Sequence, residues 1–425
     1  MAADPASRTR ATPSANRRRV HEEALAWVLA LAAGSIALVA FDCRTRDPDS
    51  RLYADMAARM STAPAPGWIA PDFPPDGYAS GLFREHPAGL LVPAALLARA
   101  GYPAENAAYA LNAVYQVATL VLLQRLAATL VDGLEARALG WLIQLLPIAF
   151  TYRIRANHEQ AIVLCLVAAL LGTERSRQGA RGLALTVSGL VGLLLVKGVL
   201  AVFAPLLCAL WLFARGRWGP RPEASHRAAW SSLAVAVAAM AGTAIAYELL
   251  YRQATGEPFW SIYLSRQLGV AAVSQSEGGG LAAVAYNLVW YLGRVLWFPF
   301  PWSLALLAAG WQGLRLRRRG TPRATPSHAG PAVAGAAFVA CMVLLYVGLF
   351  SLSDRRADRY IFPVYYAVGS AGAVAAMRTW PRLRGPVGRL DRPWVPAAVW
   401  CLAFLAHVGG GRLGLPTVKV WGPGS

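Results

Sequence analysis

FDCRTRDPDSRLYADMAARM, Phe41 to Met60, begins where an uncharged run of eighteen residues, Ala24 to Phe41, ends. A helix of that length rises roughly 27 Å at 1.5 Å per residue, close to the hydrocarbon thickness of a bilayer. At its exit stand four aspartates, Asp42, Asp47, Asp49 and Asp55, among four arginines. The fold depends on this stretch: it is where a chain leaving an apolar barrier first meets water, and it gathers charge there.

Apolar runs of spanning length recur from Ala24 nearly to the C-terminus, and 56% of the 425 residues are hydrophobic. Leu183 to Val196 and Val199 to Phe213 are apolar on every face, whereas a helix on a water-soluble core keeps one polar side. The sequence therefore predicts an all-α, polytopic membrane protein. About eleven transmembrane helices are expected, near 24–41, 106–124, 138–152, 158–173, 182–196, 199–214, 229–251, 297–313, 331–351, 360–377 and 394–410. The expected division is a basic cytoplasmic N-terminal tail (1–23), a transmembrane domain (24–410) with outer loops at 42–105 and 252–296, and an outer C-terminal tail (411–425).

The net charge of +19 does not point to nucleic acid, because the basic residues are spread through short loops rather than gathered with aromatics in a patch. They read as topology signals. With the N-terminus cytoplasmic, 24 of the 41 basic residues fall on the cytoplasmic side, in segments such as RLRRRGTPR and RTWPRLRGPVGRLDR. The expected localisation is a bacterial-type inner membrane. Of the five cysteines four lie in apolar segments and none forms CxxC, which supports neither a zinc site nor a disulfide framework. HPAGLLVPAALLARAG is too short to span and is expected at the outer interface. YNLVWYLGRVLWFPFPW is expected to lie there too, with Tyr286, Trp290, Arg294 and Trp297 on one face.

Under this topology the ionisable residues at span ends share the outer face: Asp47, Asp49 and Arg51; Arg84, Glu85 and His86; Arg153, Arg155, His158 and Glu159; Lys197; Glu248; and Asp354 to Arg359. Charges at membrane depth are costly unless they face a wet cavity or a partner. Arginines and a lysine at the mouths of several spans suit a phosphate, with apolar helices beneath for a lipid tail. A carboxylate beside them can take a proton from an incoming hydroxyl.

DPDSRLYADMAARM (47–60) resembles the first-loop motif of the GT-C glycosyltransferases, in the branch holding the lipid A aminoarabinose transferase and the protein O-mannosyltransferases. FREHPAGLL (83–91) resembles that branch's later first-loop motif, although Ala88 stands where a second proline is common. LLVKG (194–198) and DRYIFPVYY (358–366) resemble its Lys-Gly and Arg-Tyr-x-x-Pro segments. The resemblance implies a GT-C-like fold and inverting transfer of a sugar from a polyprenyl-phosphate donor to a glycan, lipid or protein hydroxyl on the outer face. It implies Asp49 as general base, and a divalent metal that helps neutralise the phosphate, with Glu85 the candidate ligand.

Lys197, Arg359, Tyr360, Arg153, Arg155, Arg355 and Arg356 are the candidate contacts to the donor phosphate, and Arg51, Tyr53, His86, His158 and Glu159 are candidate supports. Blander roles stand beside these. Asp49 is well placed to cap a helix starting at Ser50, Lys197 can snorkel to the interface, and Glu248 can pair with Arg252 one turn on. His158 and Glu159 lack the rest of HExxH, so a zinc protease is not supported. The alternative function is a transporter or flippase for a lipid-linked anion. It predicts repeated halves and broken spans, and the sequence shows neither.

Overall fold

The computed structural model describes residues 13–41, 47–75, 79–176, 179–218, 223–273, 280–318, 329–353 and 356–412. Eighteen α-helices run through them. The first half holds α1 (Pro13–Phe41), α2 (Pro48–Thr62), α3 (Ala65–Ile69), α4 (Leu91–Arg99), α5 (Ala104–Ala127), α6 (Gly133–Leu142), α7 (Pro147–Thr151), α8 (Glu159–Arg175) and α9 (Ala180–Lys197). The second holds α10 (Phe203–Trp218), α11 (Glu223–Thr255), α12 (Trp260–Val273), α13 (Leu281–Trp297), α14 (Trp302–Arg318), α15 (Ala329–Ser351), α16 (Phe362–Thr379), α17 (Arg384–Arg389) and α18 (Val395–Arg412). Among the described residues the sole β feature is a bridge between Asp72 and Leu82.

A helix lies at each expected span, but the expected count of eleven is too high. Six are long and apolar enough to cross a membrane: Arg17–Phe41, Ala104–Ala127, Ala180–Lys197, His226–Thr255, Gly330–Ser351 and Asp358–Thr379. A seventh arises if α13 and α14, bent by 99° at a short break, form one broken span. The shortfall has local causes. Segment 138–152 is interrupted by a 3₁₀ turn at Ile143–Leu145 and restarts at Pro147, whose ring nitrogen donates no hydrogen bond. Helices α8 and α10 stop at 17 and 16 residues. The expected span at 297–313 also starts late, since Trp297 ends α13 and α14 opens at Trp302.

Between helices that cannot rely on water to drive them together, packing rests on close backbone approach. At the α8/α9 contact a Cβ on Gly172 would fall 2.3 Å from the Thr186 nitrogen, and one on Gly189 2.5 Å from that of Ala169. The segment after Met60 is tied down by its own backbone: Phe73 N–H donates to Gly81 (2.9 Å) and Phe83 N–H to Pro71 (2.8 Å). That pairing delivers Arg84, Glu85 and His86 to the bundle just before the short helix α4, which at 9 residues is far below spanning length, as expected.

Candidate active site

The stretch that opens the chain's first loop builds the site. Asp47 takes the N-cap of α2, its carboxylate accepting from Ser50 N–H (3.0 Å) and Ser50 Oγ–H (2.7 Å). The cap is therefore not Asp49. Ser50 is fully buried; its Oγ also accepts from Ala156 N–H (3.2 Å) and abuts the Asn157 amide, which pins the start of α2 to the 152–158 turn. Turning that amide so that Nδ2 faces Ser50 gives both groups a partner, an assignment that heavy atoms alone leave open.

Asp49 lies in the first turn of α2 with its side chain 29% exposed, ion-paired to Arg359 Nη1, whose own side chain is 34% exposed. Arg359 belongs to the 3₁₀ turn Asp358–Ile361 that leads into α16. Two further ion pairs flank this one. Asp47 Oδ1 lies 3.4 Å from Arg155, whose guanidinium covers the Tyr152 ring at 4.4 Å. Asp358 Oδ1 accepts from Arg294 Nε at 2.8 Å, and Arg294 in turn covers Trp290 at 4.5 Å. So α13 turns Trp290 and Arg294 toward the site, while Tyr286 and Trp297 remain exposed; the buried face is Asn287, Tyr291 and Val295.

Beneath the ion pairs is a second, drier layer. Tyr53, one turn beyond Asp49, meets His86 at 5.3 Å and His158 at 5.8 Å between ring centroids, and the two imidazoles are 5.6 Å apart. Burial pushes the His86 imidazole down to about 3, helped by the positive charge of Lys197, so at neutral pH it carries no charge. Its Nε2 and the Nδ1 of His158 have no hydrogen-bond partner. Glu159, 1% exposed, is in a similar state: His158 Nε2 comes to 3.4 Å but out of alignment, and among the described residues neither carboxylate oxygen accepts a well-aligned hydrogen bond from another residue. Glu159 sits within electrostatic reach of Lys197 on one side and of Arg155 and Asp47 on the other, so it links Lys197 to the mouth.

The Lys-Gly motif has a backbone reason. Lys197 ends α9, and Gly198 follows at φ +57°, with Tyr263 Oη 2.8 Å from where a Cβ would stand. The same hydroxyl accepts from Val199 N–H (2.8 Å) and donates to the Lys197 carbonyl (2.9 Å).

Other candidates are placed elsewhere. Arg153, expected at the mouth, is 2% exposed; it donates to the Gln144 carbonyl (2.9 Å) and covers Phe150, holding the broken 138–152 segment together. Arg356 is exposed over Tyr286, Arg51 is exposed on α2, and Tyr360 stacks on Phe350. Arg355 and Asp354 lie outside the described residues. Arg84 is spent on Tyr251 (3.0 Å) and Glu257, and Glu248 pairs with Arg252 (2.6 Å) while capping α12 through Phe259 and Trp260 N–H. Among the described residues no three His, Cys, Asp or Glu side chains are grouped to hold a metal ion, so Glu85 belongs to no such group. Ser50 and Asn157 were not singled out from sequence; Asp-x-x-Ser is a capping pattern that would have found Ser50, whereas nothing local marks Asn157.

No family model matches the sequence, and no curated protein matches it. Solved structures do. The chain is similar to ArnT from Cupriavidus metallidurans bound to undecaprenyl phosphate, at TM-score 0.56 and 16% identity over 92% of this chain and 72% of that one. It is similar to the apo state of the same ArnT at TM-score 0.56 and 16% identity, over 96% and 73%. A looser likeness, TM-score 0.47 and 13% identity over 91% of this chain and 56% of that one, is to the archaeal oligosaccharyltransferase AglB from Archaeoglobus fulgidus, in complex with an inhibitory peptide and a dolichol-phosphate. The likeness to ArnT shows a GT-C-like fold.

Proposed function

We propose that this chain transfers a sugar from a polyprenyl-phosphate donor to an acceptor hydroxyl, with Asp49 as general base and Arg359 as the principal contact to the donor phosphate. The observation that carries the reading is their ion pair, which joins a first-loop carboxylate to a late-chain arginine beside the ends of two spans. The similar ArnT structure, which holds undecaprenyl phosphate, supports a lipid phosphate as the ligand. The acceptor is a lipid-linked glycan, a cell-wall polysaccharide or a protein hydroxyl.

The half-exposed pair suggests how binding and chemistry are coupled. A solvent-exposed ion pair contributes only about 0–1 kcal/mol, so an incoming phosphate can take over Arg359 at little cost. Asp49 is then released to face the acceptor. Its carboxylate takes the hydroxyl proton while the acceptor oxygen bonds to the anomeric carbon; the bond from that carbon to the phosphate oxygen breaks, and the lipid phosphate leaves with the electron pair. A single displacement of this kind inverts the anomeric centre. Arg155, Arg294 and Lys197 surround the position with positive charge, and Arg356 and Tyr360 stand at its edge. The site faces outward and the N-terminus lies in the cytoplasm in this reading.

The test is transfer from synthetic polyprenyl-phosphate sugars by purified protein. Wild type forms product and Asp49→Asn loses at least ~100-fold, the usual contribution of a general base. Transfer by Asp49→Asn at the wild-type rate contradicts the assignment, and movement of donor across the bilayer with no bond made favours the flippase reading.

A further inference from the structure

The second inference concerns the other end of the bundle. Arg19 on α1 and Phe41, where α1 ends, are 22 residues apart, roughly 33 Å along a helix, so what surrounds Arg19 lies a bilayer's thickness from Asp49. A cavity of about 330 Å³ opens there between the start of α1, the end of α5, the start of α6 and the turn before α18. That volume is in the range that accommodates a small ligand.

Its charge is unbalanced. Arg19, Arg125, Arg137 and Arg392 line it against Glu23 and Asp391, two more positive than negative charges. The carboxylates are already engaged. Asp391 accepts from Arg19 (2.5 Å) and, with both oxygens, from Arg137 (2.8 and 2.6 Å), and Glu23 acts on Arg137. Arg125 and Arg392 are exposed and have no carboxylate partner among the described residues. The remaining wall is apolar, with Val20, Val121, Leu134 and Trp141.

We propose that this cavity binds the headgroup of an anionic phospholipid. Two uncommitted guanidiniums recognise a phosphodiester with charge-assisted hydrogen bonds, and the bidentate Asp391 clamp keeps the neighbouring arginines in place. The apolar wall, set at the ends of the membrane-spanning helices α1 and α5, favours a ligand with acyl chains over a water-soluble phosphate. The cavity lies across the bundle from the Asp49–Arg359 pair, so its headgroup site is separate from the proposed transfer site.

Retention of a fluorescent phosphatidylglycerol by the purified full-length protein tests this, with fluorescent phosphatidylcholine as the uncharged-headgroup control and glycerol phosphate as the soluble competitor. Two variants separate charge from shape: R125Q/R392Q removes the free cations, and A128W keeps every charge while filling the space beside the exposed Ala128. Wild type retains phosphatidylglycerol over phosphatidylcholine, each variant weakens retention at least ~10-fold, and glycerol phosphate does not compete. Unchanged retention in either variant, or equal retention of both lipids, overturns the proposal. Displacement by glycerol phosphate overturns the lipid assignment in favour of a soluble phosphate.

Discussion

The two ends of the bundle use the same side chains in opposite ways. At the end near Arg19, buried carboxylates are satisfied: Glu135 accepts from Arg378 at 2.7, 3.0 and 3.2 Å, and Glu174 accepts from Arg215 at 2.8 and 3.2 Å and from Trp211 at 2.9 Å. At the Asp49 end the most buried carboxylate, Glu159, accepts no well-aligned hydrogen bond from another of the described residues, and two buried imidazoles each leave a nitrogen unpartnered. Unsatisfied buried polar groups cost about 1–3 kcal/mol each and persist where something other than stability retains them. The first end fastens helices to one another. The second keeps polar atoms available.

Substitutions sharpen that contrast, and the largest effect on stability is expected where a buried carboxylate is held by several donors. Arg215→Leu removes the guanidinium that donates twice to the buried Glu174 carboxylate, and breaking a buried pair from one side costs about 3–5 kcal/mol. Denaturant unfolding of the solubilised protein reads this loss, and transfer per folded molecule stays at the wild-type level. A loss below about 1 kcal/mol would make the far end no better fastened than a surface.

Next comes pH. The folded chain keeps His86 neutral down to about pH 3, whereas the unfolded chain protonates it near 6.5. Between those values the unfolded state binds more protons, so stability falls as pH drops from 6.5 toward 3, by an amount on the order of a few kcal/mol. His86→Phe, which keeps a ring against Tyr53 and Phe83, flattens that slope. Melting curves of both proteins from pH 7 to 4 decide it; parallel curves would mean that the imidazole is not held neutral.

Glu159→Gln reverses the usual sign. It removes a carboxylate that has no well-aligned hydrogen bond from another of the described residues and replaces it with an uncharged amide of the same shape, so stability rises by about 1–2 kcal/mol while transfer falls as Lys197 loses its counter-charge. A destabilised Glu159→Gln would show that the carboxylate is held in the fold by partners and would end the contrast. Smallest of all is Asp49→Asn, whose effect on unfolding stays within about 1 kcal/mol because the pair it breaks is half exposed.

The convergence of Asp49 and Arg359 was legible because both sit at span ends, and span ends are set by where apolar runs stop. Arg153 was not legible: a helix break at Ile143–Leu145 and Pro147 turns its side chain inward to the Gln144 carbonyl, and hydropathy does not register a break inside an apolar run. The span count failed on that point as well as on the short helices α8 and α10. Asn157 escaped because its contact with Ser50 spans the chain from the first loop to the 152–158 turn, and nothing in either neighbourhood announces the other.

Binding of polyprenyl phosphate to wild type, Asp49→Asn and Arg359→Gln tests the central claim most directly. If the carboxylate occupies the arginine until the phosphate arrives, Arg359→Gln weakens binding at least ~10-fold, while Asp49→Asn binds as tightly as wild type or tighter and forms no product. Loss of binding in Asp49→Asn, or undiminished binding in Arg359→Gln, would contradict the account.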